Sequence, residues 1–271
     1  MISWALVYVG LAIFAPLCAL AQRLWPASDP LPRPFDRSRR LDWAYWLVTP
    51  LATGLLTRVT TLGFGATIAL ALGMHLRDAH DLFEVFHARS PIAAWPFAMQ
   101  CVVALVLADF VSYWSHRLRH HARFFPLHAV HHAPVQLDWL AAARMHPLDD
   151  LVDNVAVTLP ILLLGFDSRI FLALGPLLIV HTLYLHSSVR LSLGRLRYVI
   201  ASPDFHRWHH AVDVAAQNAN FGGVLSIWDV LFGTFRMPPE RATSFGLDGE
   251  PLPESLLDQL IEPLRRLAGS R

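Results

Sequence analysis

The chain has no lysine: all 22 of its basic residues are arginine. That absence excludes Schiff-base chemistry on a lysine amine and a Walker-type phosphate loop. Cysteine is nearly as scarce. The two present, Cys18 and Cys101, lie in apolar runs and read as small buried hydrophobes, not as a disulfide or half of a zinc finger. No H-E-x-x-H occurs, which sets aside a zincin, and no G-x-G-x-x-G, the flavin and nicotinamide fingerprint. Charge is thin: 16% of residues are charged, against roughly 25% in soluble domains, and a net charge of +1 carries no nucleic-acid signal.

What the chain has instead is apolar length. Of its 271 residues, 54% are hydrophobic. Four runs, Ile2–Ala21, Trp43–Met74, Ala93–Val111 and Leu151–Tyr184, approach or exceed the roughly 20 residues that span a bilayer. The first is uncharged and has no strong cleavage site, so it reads as an uncleaved anchor. The second is interrupted by Arg58 and reads as one tilted crossing with a break near Thr57–Thr61, or as a shallow hairpin. The fourth is interrupted by Pro160, residues 165–169 and Pro176. It reads as two half-length helices joined by a bend, entering and leaving on one side.

Arginines set the expected orientation. Arg23, Arg33, Arg37, Arg39 and Arg40 follow the first run; Arg117, Arg119, Arg123 and Arg144 follow the third; Arg190, Arg195, Arg197 and Arg207 follow the fourth. The positive-inside rule places all three loops in the cytoplasm, which requires an odd number of crossings by the second run and favours a single one. The N-terminus and the segment from His75 to Arg89 then face outward, and the histidines of that segment read as surface residues. The expected location is an integral, multi-pass protein of the inner (cytoplasmic) membrane.

Histidine carries the chemistry. Three clusters stand out: His116-Arg-Leu-Arg-His120, His128-Ala-Val-His131-His132 and His206-Arg-Trp-His209-His210. Spacings of three and four put imidazoles on one helical face. Imidazole suits iron, zinc and copper, and one ion needs only about four to six ligands. Eight histidines therefore suggest two metal ions in one site, just beyond the apolar runs on the cytoplasmic side. On the third helix Asp109 and Tyr113 share a face with His116 and His120. Asp109 is expected to accept the second ring N–H of a ligand histidine. His121 points about 100° away from His120 and ranks below it. Of the two histidines on the fourth run, His186 is better placed than His181 to complete the site. His146 reads either as a supporting residue or as the start of the next helix. A transporter relaying metal through histidines is the reading from another class; it predicts ligands deep within several spans, whereas these clusters lie outside them.

The ordered set Asp109…Tyr113-Trp-Ser-His116-Arg-x-x-His120, His128-x-x-His131-His132, Arg144-x-His146-Pro147, His186, Ser202-Pro-x-Phe-His206-Arg-x-His209-His210, Asn220-Phe-Gly and Trp228-Asp229-x-Leu-Phe-Gly-Thr-Phe235 resembles the fatty acid hydroxylase / sterol desaturase superfamily. The resemblance covers about Asp109 to Phe235. It implies a di-iron centre held almost wholly by histidine, with His186 as ninth ligand and Asp109, Tyr113, His146, Asn220 and Asp229 in support. It also implies O2 as co-substrate and hydroxylation or desaturation of a bilayer lipid such as a fatty acyl chain or sterol-like molecule. With no nucleotide fingerprint, electrons are expected from a separate reductase, ferredoxin or cytochrome. Carotenoid hydroxylation and alkyl-ether lipid oxidation are alternatives on the same site. The expected architecture is all-α: an integral-membrane helical bundle with a cytoplasmic helical cap holding a histidine-rich di-metal site. It divides into an N-terminal transmembrane region (1–92), a catalytic domain (93–237) and a polar C-terminal tail (238–271), whose amphipathic helix, Pro253–Leu267, is expected on the surface.

Overall fold

A computed structural model describes residues 4–27, 33, 35–36, 39–77, 81–213, 216, 218–249 and 251–269. Arg37, His80 and the ends of the first and last assigned regions, residues 1–3 and 270–271, lie outside the described residues. Among those described the regular structure is helical, and strand pairing is confined to two isolated bridges, Pro26 with Val189 and Ala211 with Phe245. The helices are α1 (Trp4–Leu24), α2 (Arg40–Ala71), α3 (Asp81–Arg89), α4 (Phe97–Arg119), α5 (Phe125–His132), α6 (Pro147–Leu163), α7 (Ile170–His186), α8 (Pro203–His209), α9 (Ile227–Leu231) and α10 (Leu256–Leu267).

The two described helices long and apolar enough to cross a membrane are α2 and α4. The 32 residues of α2 run unbroken, with no interruption at Thr57–Thr61 and no hairpin; at 1.5 Å per residue that is about 48 Å. One face of α2 carries Leu47, Leu51, Leu55 and Val59, each between 42% and 63% exposed. An uncovered apolar stripe of that length is costly in water and natural against lipid. The opposite face buries Thr53, Thr61, Gly65 and Ala69. Small residues let helices approach without a protruding side chain: a Cβ on Gly65 would sit 2.6 Å from a Leu162 methyl of α6.

The fourth apolar run folds as expected into two 17-residue helices, α6 and α7. The bend between them depends on Gly165, at φ +76°, where a Cβ would lie 2.5 Å from the Phe86 carbonyl oxygen. His87 Nδ1 lies 2.7 Å from the Gly165 carbonyl and Ser90 donates to that of Leu164. His87 is thus not the surface residue expected; its ring ties α3 to this bend.

Two further expectations need correction. Arg39, Arg119, Arg144 and Arg207 are not free loop charges but buried side chains with partners. Only the remaining arginines bear on orientation. The C-terminal helix α10 is also more than a surface appendage. It packs beside Val130 of α5 and buries Gln259, which accepts from the Tyr45 hydroxyl and from Arg144 Nη2 and donates to the Pro253 carbonyl.

Candidate metal centre

Four helix ends converge on one buried point. The last turn of α4 supplies His116, and His120 caps it. The eight-residue α5, started by Pro126 in its first turn, carries His128, His131 and His132. His186 is the final residue of α7. The short α8 is capped by Ser202, whose hydroxyl accepts from Phe205 N; it supplies His206 and His209, and His210 closes it. Eight of these nine imidazoles are buried and His120 is nearly so.

The nine sort into two groups: His116, His120, His128, His132 and His209 in one, and His131, His186, His206 and His210 in the other. Within each group the ligand nitrogens lie within 4.8 Å of one another. The two H-x-x-H-H motifs divide in opposite senses. On α5 the first and last histidines join the group of five; on α8 they join the group of four. In each motif the middle histidine crosses to the other group. Helical geometry explains this, since positions i and i+4 differ by about 40° around the axis whereas neighbours differ by about 100°.

Outer hydrogen bonds fix which ring nitrogen faces inward. His116 Nδ1 donates to the Phe221 carbonyl at 2.9 Å, His131 Nδ1 to Arg144 at 3.1 Å, His186 Nδ1 to Thr182 at 2.9 Å and His209 Nδ1 to Ala219 at 2.8 Å. His128 Nδ1 donates to Asp149 Oδ2 at 2.9 Å, an oxygen that also accepts from Arg119 Nη1 at 3.0 Å. A carbonyl only accepts, so Nδ1 carries the proton and Nε2 the lone pair. Burial holds the imidazoles of His128, His131, His132, His206 and His210 well below the usual histidine range and that of His209 at about 4, so all are neutral at pH 7.

These neutral rings turn lone pairs on one another. The Nε2 atoms of His116 and His128 lie 3.2 Å apart, and those of His131 and His186 3.3 Å apart. The Nε2 atoms of His120, His132 and His209 are buried with no hydrogen-bond partner among the described residues. Facing lone pairs repel, and orphaned buried acceptors are costly. A cation between them removes both penalties. The all-imidazole donor set, without thiolate, fits first-row ions such as iron or zinc.

The supporting residues do something different from what their spacing suggests. Asp109 touches no ligand histidine. Its carboxylate accepts from Val224 N at 2.7 Å, Leu225 N at 2.9 Å and Trp228 Nε1 at 2.9 Å. Asp229 accepts from Phe221 N, Gly222 N and the Thr234 hydroxyl, and Tyr113 meets that hydroxyl at 2.9 Å. Asn220 sits at φ +60° and bonds the Phe205 and Arg236 backbones. Together they hold the 219–226 loop, which presents the carbonyls of Ala219 and Phe221 to His209 and His116. They act on the ligands through that loop, because Asp109 lies nearly two turns before His116 on α4. His146 caps α6, accepting from Leu148 N, with Nε2 on the Leu260 carbonyl of α10; it is the start of a helix and no ligand. His181 bonds the Gly223 carbonyl and His121 is exposed, so neither joins the groups.

Asp149 was not among the residues singled out by spacing. The signal was present: Asp149 is an acidic residue beside a long apolar run, where an ionisable group usually has a partner.

The chain is also similar to known proteins over the stretch that carries this site. A family model described as fatty acid hydroxylase matches residues 101–234. Ornithine lipid hydroxylase OlsE of Rhizobium tropici is 37% identical over 208 residues, covering 74% of this chain and 62% of that protein. Human alkylglycerol monooxygenase is 27% identical over 209 residues, 77% of this chain and 44% of that protein. Methylsterol monooxygenase 1 of Danio rerio is 27% identical over 158 residues, 57% of this chain and 53% of that protein. The matched stretch spans less than two thirds of the length of each of these relatives. No solved structure matches the chain.

Proposed function

Because this chain belongs to the fatty acid hydroxylase / sterol desaturase superfamily, we propose that it is a membrane-bound, O2-dependent oxidoreductase that hydroxylates a C–H position of a bilayer lipid. In this reading the group of five histidines and the group of four each hold one iron, and a separate reductase, ferredoxin or cytochrome supplies electrons. The observation that carries it is the convergence of nine imidazoles into two buried groups beside apolar helices. Relatives named for an ornithine lipid, an alkylglycerol and a methylsterol point to lipid as the substrate class.

When bound, the di-iron centre supplies the oxidising power that no side chain has. The chain's own residues do the rest. Backbone carbonyls and Asp149 hold the rings in one tautomer and one orientation. Burial keeps them neutral and keeps water from the reacting carbon. The loop held by Asp109 and Asp229 keeps His116 and His209 aimed inward. Hydroxylation consumes O2, two protons and two electrons and releases water. Desaturation begins with the same hydrogen abstraction, and substrate position decides between the two. The cap and its ligands belong on the cytoplasmic side in this reading, supported by Arg117, Arg123, Arg190 and Arg195.

The test is comparative lipid mass spectrometry of cells with the parent chain and with a His209→Ala variant. A lipid gaining one oxygen only with the parent is expected. Identical lipid profiles, together with no lipid-dependent oxygen consumption by the reduced, iron-loaded protein, would contradict the assignment.

A further inference from the structure

Beside α8, on the side away from the histidines, lies a cleft of about 520 Å³. The end of α1, the segment after α7 and the loop around residues 237–242 form its walls. Its charge is lopsided: Arg190, Arg197, Arg207 and Arg241 line it, against Asp204 and Glu240. Arg190 and Arg241 are exposed and both lie within electrostatic reach of Asp204, though among the described residues neither guanidinium group forms a hydrogen bond or a close ion pair. Arg207 is buried and held in place: Nη1 donates to the Leu137 carbonyl at 3.1 Å, and the guanidinium lies 4.5 Å from the Phe245 ring centre.

Trp25 lines the cleft and is 58% exposed; Leu24, Leu196 and Tyr198, next in sequence to the lining residues Trp25 and Arg197, are 58%, 57% and 42% exposed. Tryptophan and tyrosine at this height, beside the end of an apolar helix, belong at the membrane interface. A positively charged cleft opening at that level meets headgroups before it meets free solutes. The same short helix turns Arg207 and Trp208 toward the cleft and its histidines toward the candidate metal centre.

We propose that this cleft binds the net-negative headgroup, phosphate or carboxylate, of a membrane lipid. Arginine suits both oxyanions, since its planar fork donates two parallel hydrogen bonds. The proposal rests on the lipid-oxidising reading only in making the occupant the substrate. A headgroup seated against one side of α8 leaves its alkyl chain to run along the apolar helices toward the other side.

The experiment measures binding alone, without oxygen or reductant. Metal-loaded full-length protein in neutral detergent at physiological salt is titrated with dihexanoyl phosphatidic acid, dihexanoyl phosphatidylcholine and inorganic phosphate, read by native mass spectrometry. Phosphatidic acid is expected to bind at least about 10-fold tighter than phosphatidylcholine, as charge-assisted bonds to two arginines imply. Inorganic phosphate at equal concentration should not displace it. The Arg190→Gln/Arg241→Gln double variant should lose the preference while keeping its metal content. Both residues are exposed, so the fold is not at stake. Equal binding of the two lipids by the parent, an unchanged preference in the variant, or displacement by inorganic phosphate overturns the proposal. Anionic-lipid preference in this titration, together with no oxygen-dependent product in the comparative lipid mass spectrometry, would sink the enzymatic reading and leave the cleft assigned.

Discussion

Asp149 stands between a ligand-grade imidazole and a buried arginine: its Oδ2 is 2.9 Å from His128 Nδ1 and 3.0 Å from Arg119 Nη1. One oxygen serves both, and Arg119 also reaches Asp153 at 3.3 Å. The carboxylate makes the His128 Nε2 lone pair more basic than a carbonyl partner does.

Asp149→Asn keeps an acceptor for His128 but removes the charge. Metal affinity is expected to fall by about 10- to 100-fold, the range typical of lost outer partners. Asp153→Asn should change it far less, because Asp153 does not touch a ligand. Metal retained after dialysis against a chelator distinguishes them, with helix content as the control for folding.

The opposite division of the two H-x-x-H-H motifs makes neighbouring histidines inequivalent. His131→Ala leaves the group of four with three members, whereas His132→Ala leaves the group of five with four. His131→Ala is therefore expected to lose metal more readily. Equal loss in the two variants, measured as metal per chain, contradicts the division.

Asp109→Asn tests the loop. An amide offers one acceptor oxygen where the carboxylate receives three N–H groups. Amide exchange at Val224 and Leu225 should quicken, and metal affinity should fall with it. Faster metal loss with unchanged exchange at those amides would restore the direct role that helical spacing suggested.

Acid acts through the same imidazoles. His209 falls from an ordinary value of 6.5 to about 4 through burial, and its neighbours on α5 and α8 shift in the same direction. The unfolded chain thus binds more protons than the folded one between these values. Stability is full above about pH 6.5 and drains away as pH falls toward 4. The melting temperature of metal-free protein across pH 4 to 8 should be flat at the top and fall below 6.5. A profile flat throughout contradicts the buried, neutral assignment.

Much of the site was legible because histidine spacing is a local property. His128, His131 and His132 share one short helix, and the sequence alone states their angular relation. The pairing of residues distant in the chain was not. That Asp109 meets Val224, 115 residues away, depends on how α4 packs against a loop, which no period reports. The bend at Gly165 was visible from its flanking interruptions, and the unbroken course of α2 was not, since Thr57–Thr61 looks like a weak point until its face is buried. Gln259 illustrates the same limit. A polar residue in a polar tail carries no sign that Arg144, 115 residues earlier, waits beneath it.

On the proposed two-metal reading, the crossed division of the histidines also governs how the centre fills. Both α5 and α8 give imidazoles to each group, so the first ion to arrive immobilises both helices, and the second meets side chains already in position. The entropy of ordering is spent once and benefits two binding events. Loading should then be cooperative: a titration of the parent chain passes from empty to full with few half-filled molecules between, and a population dominated by singly loaded chains at half saturation would speak against it.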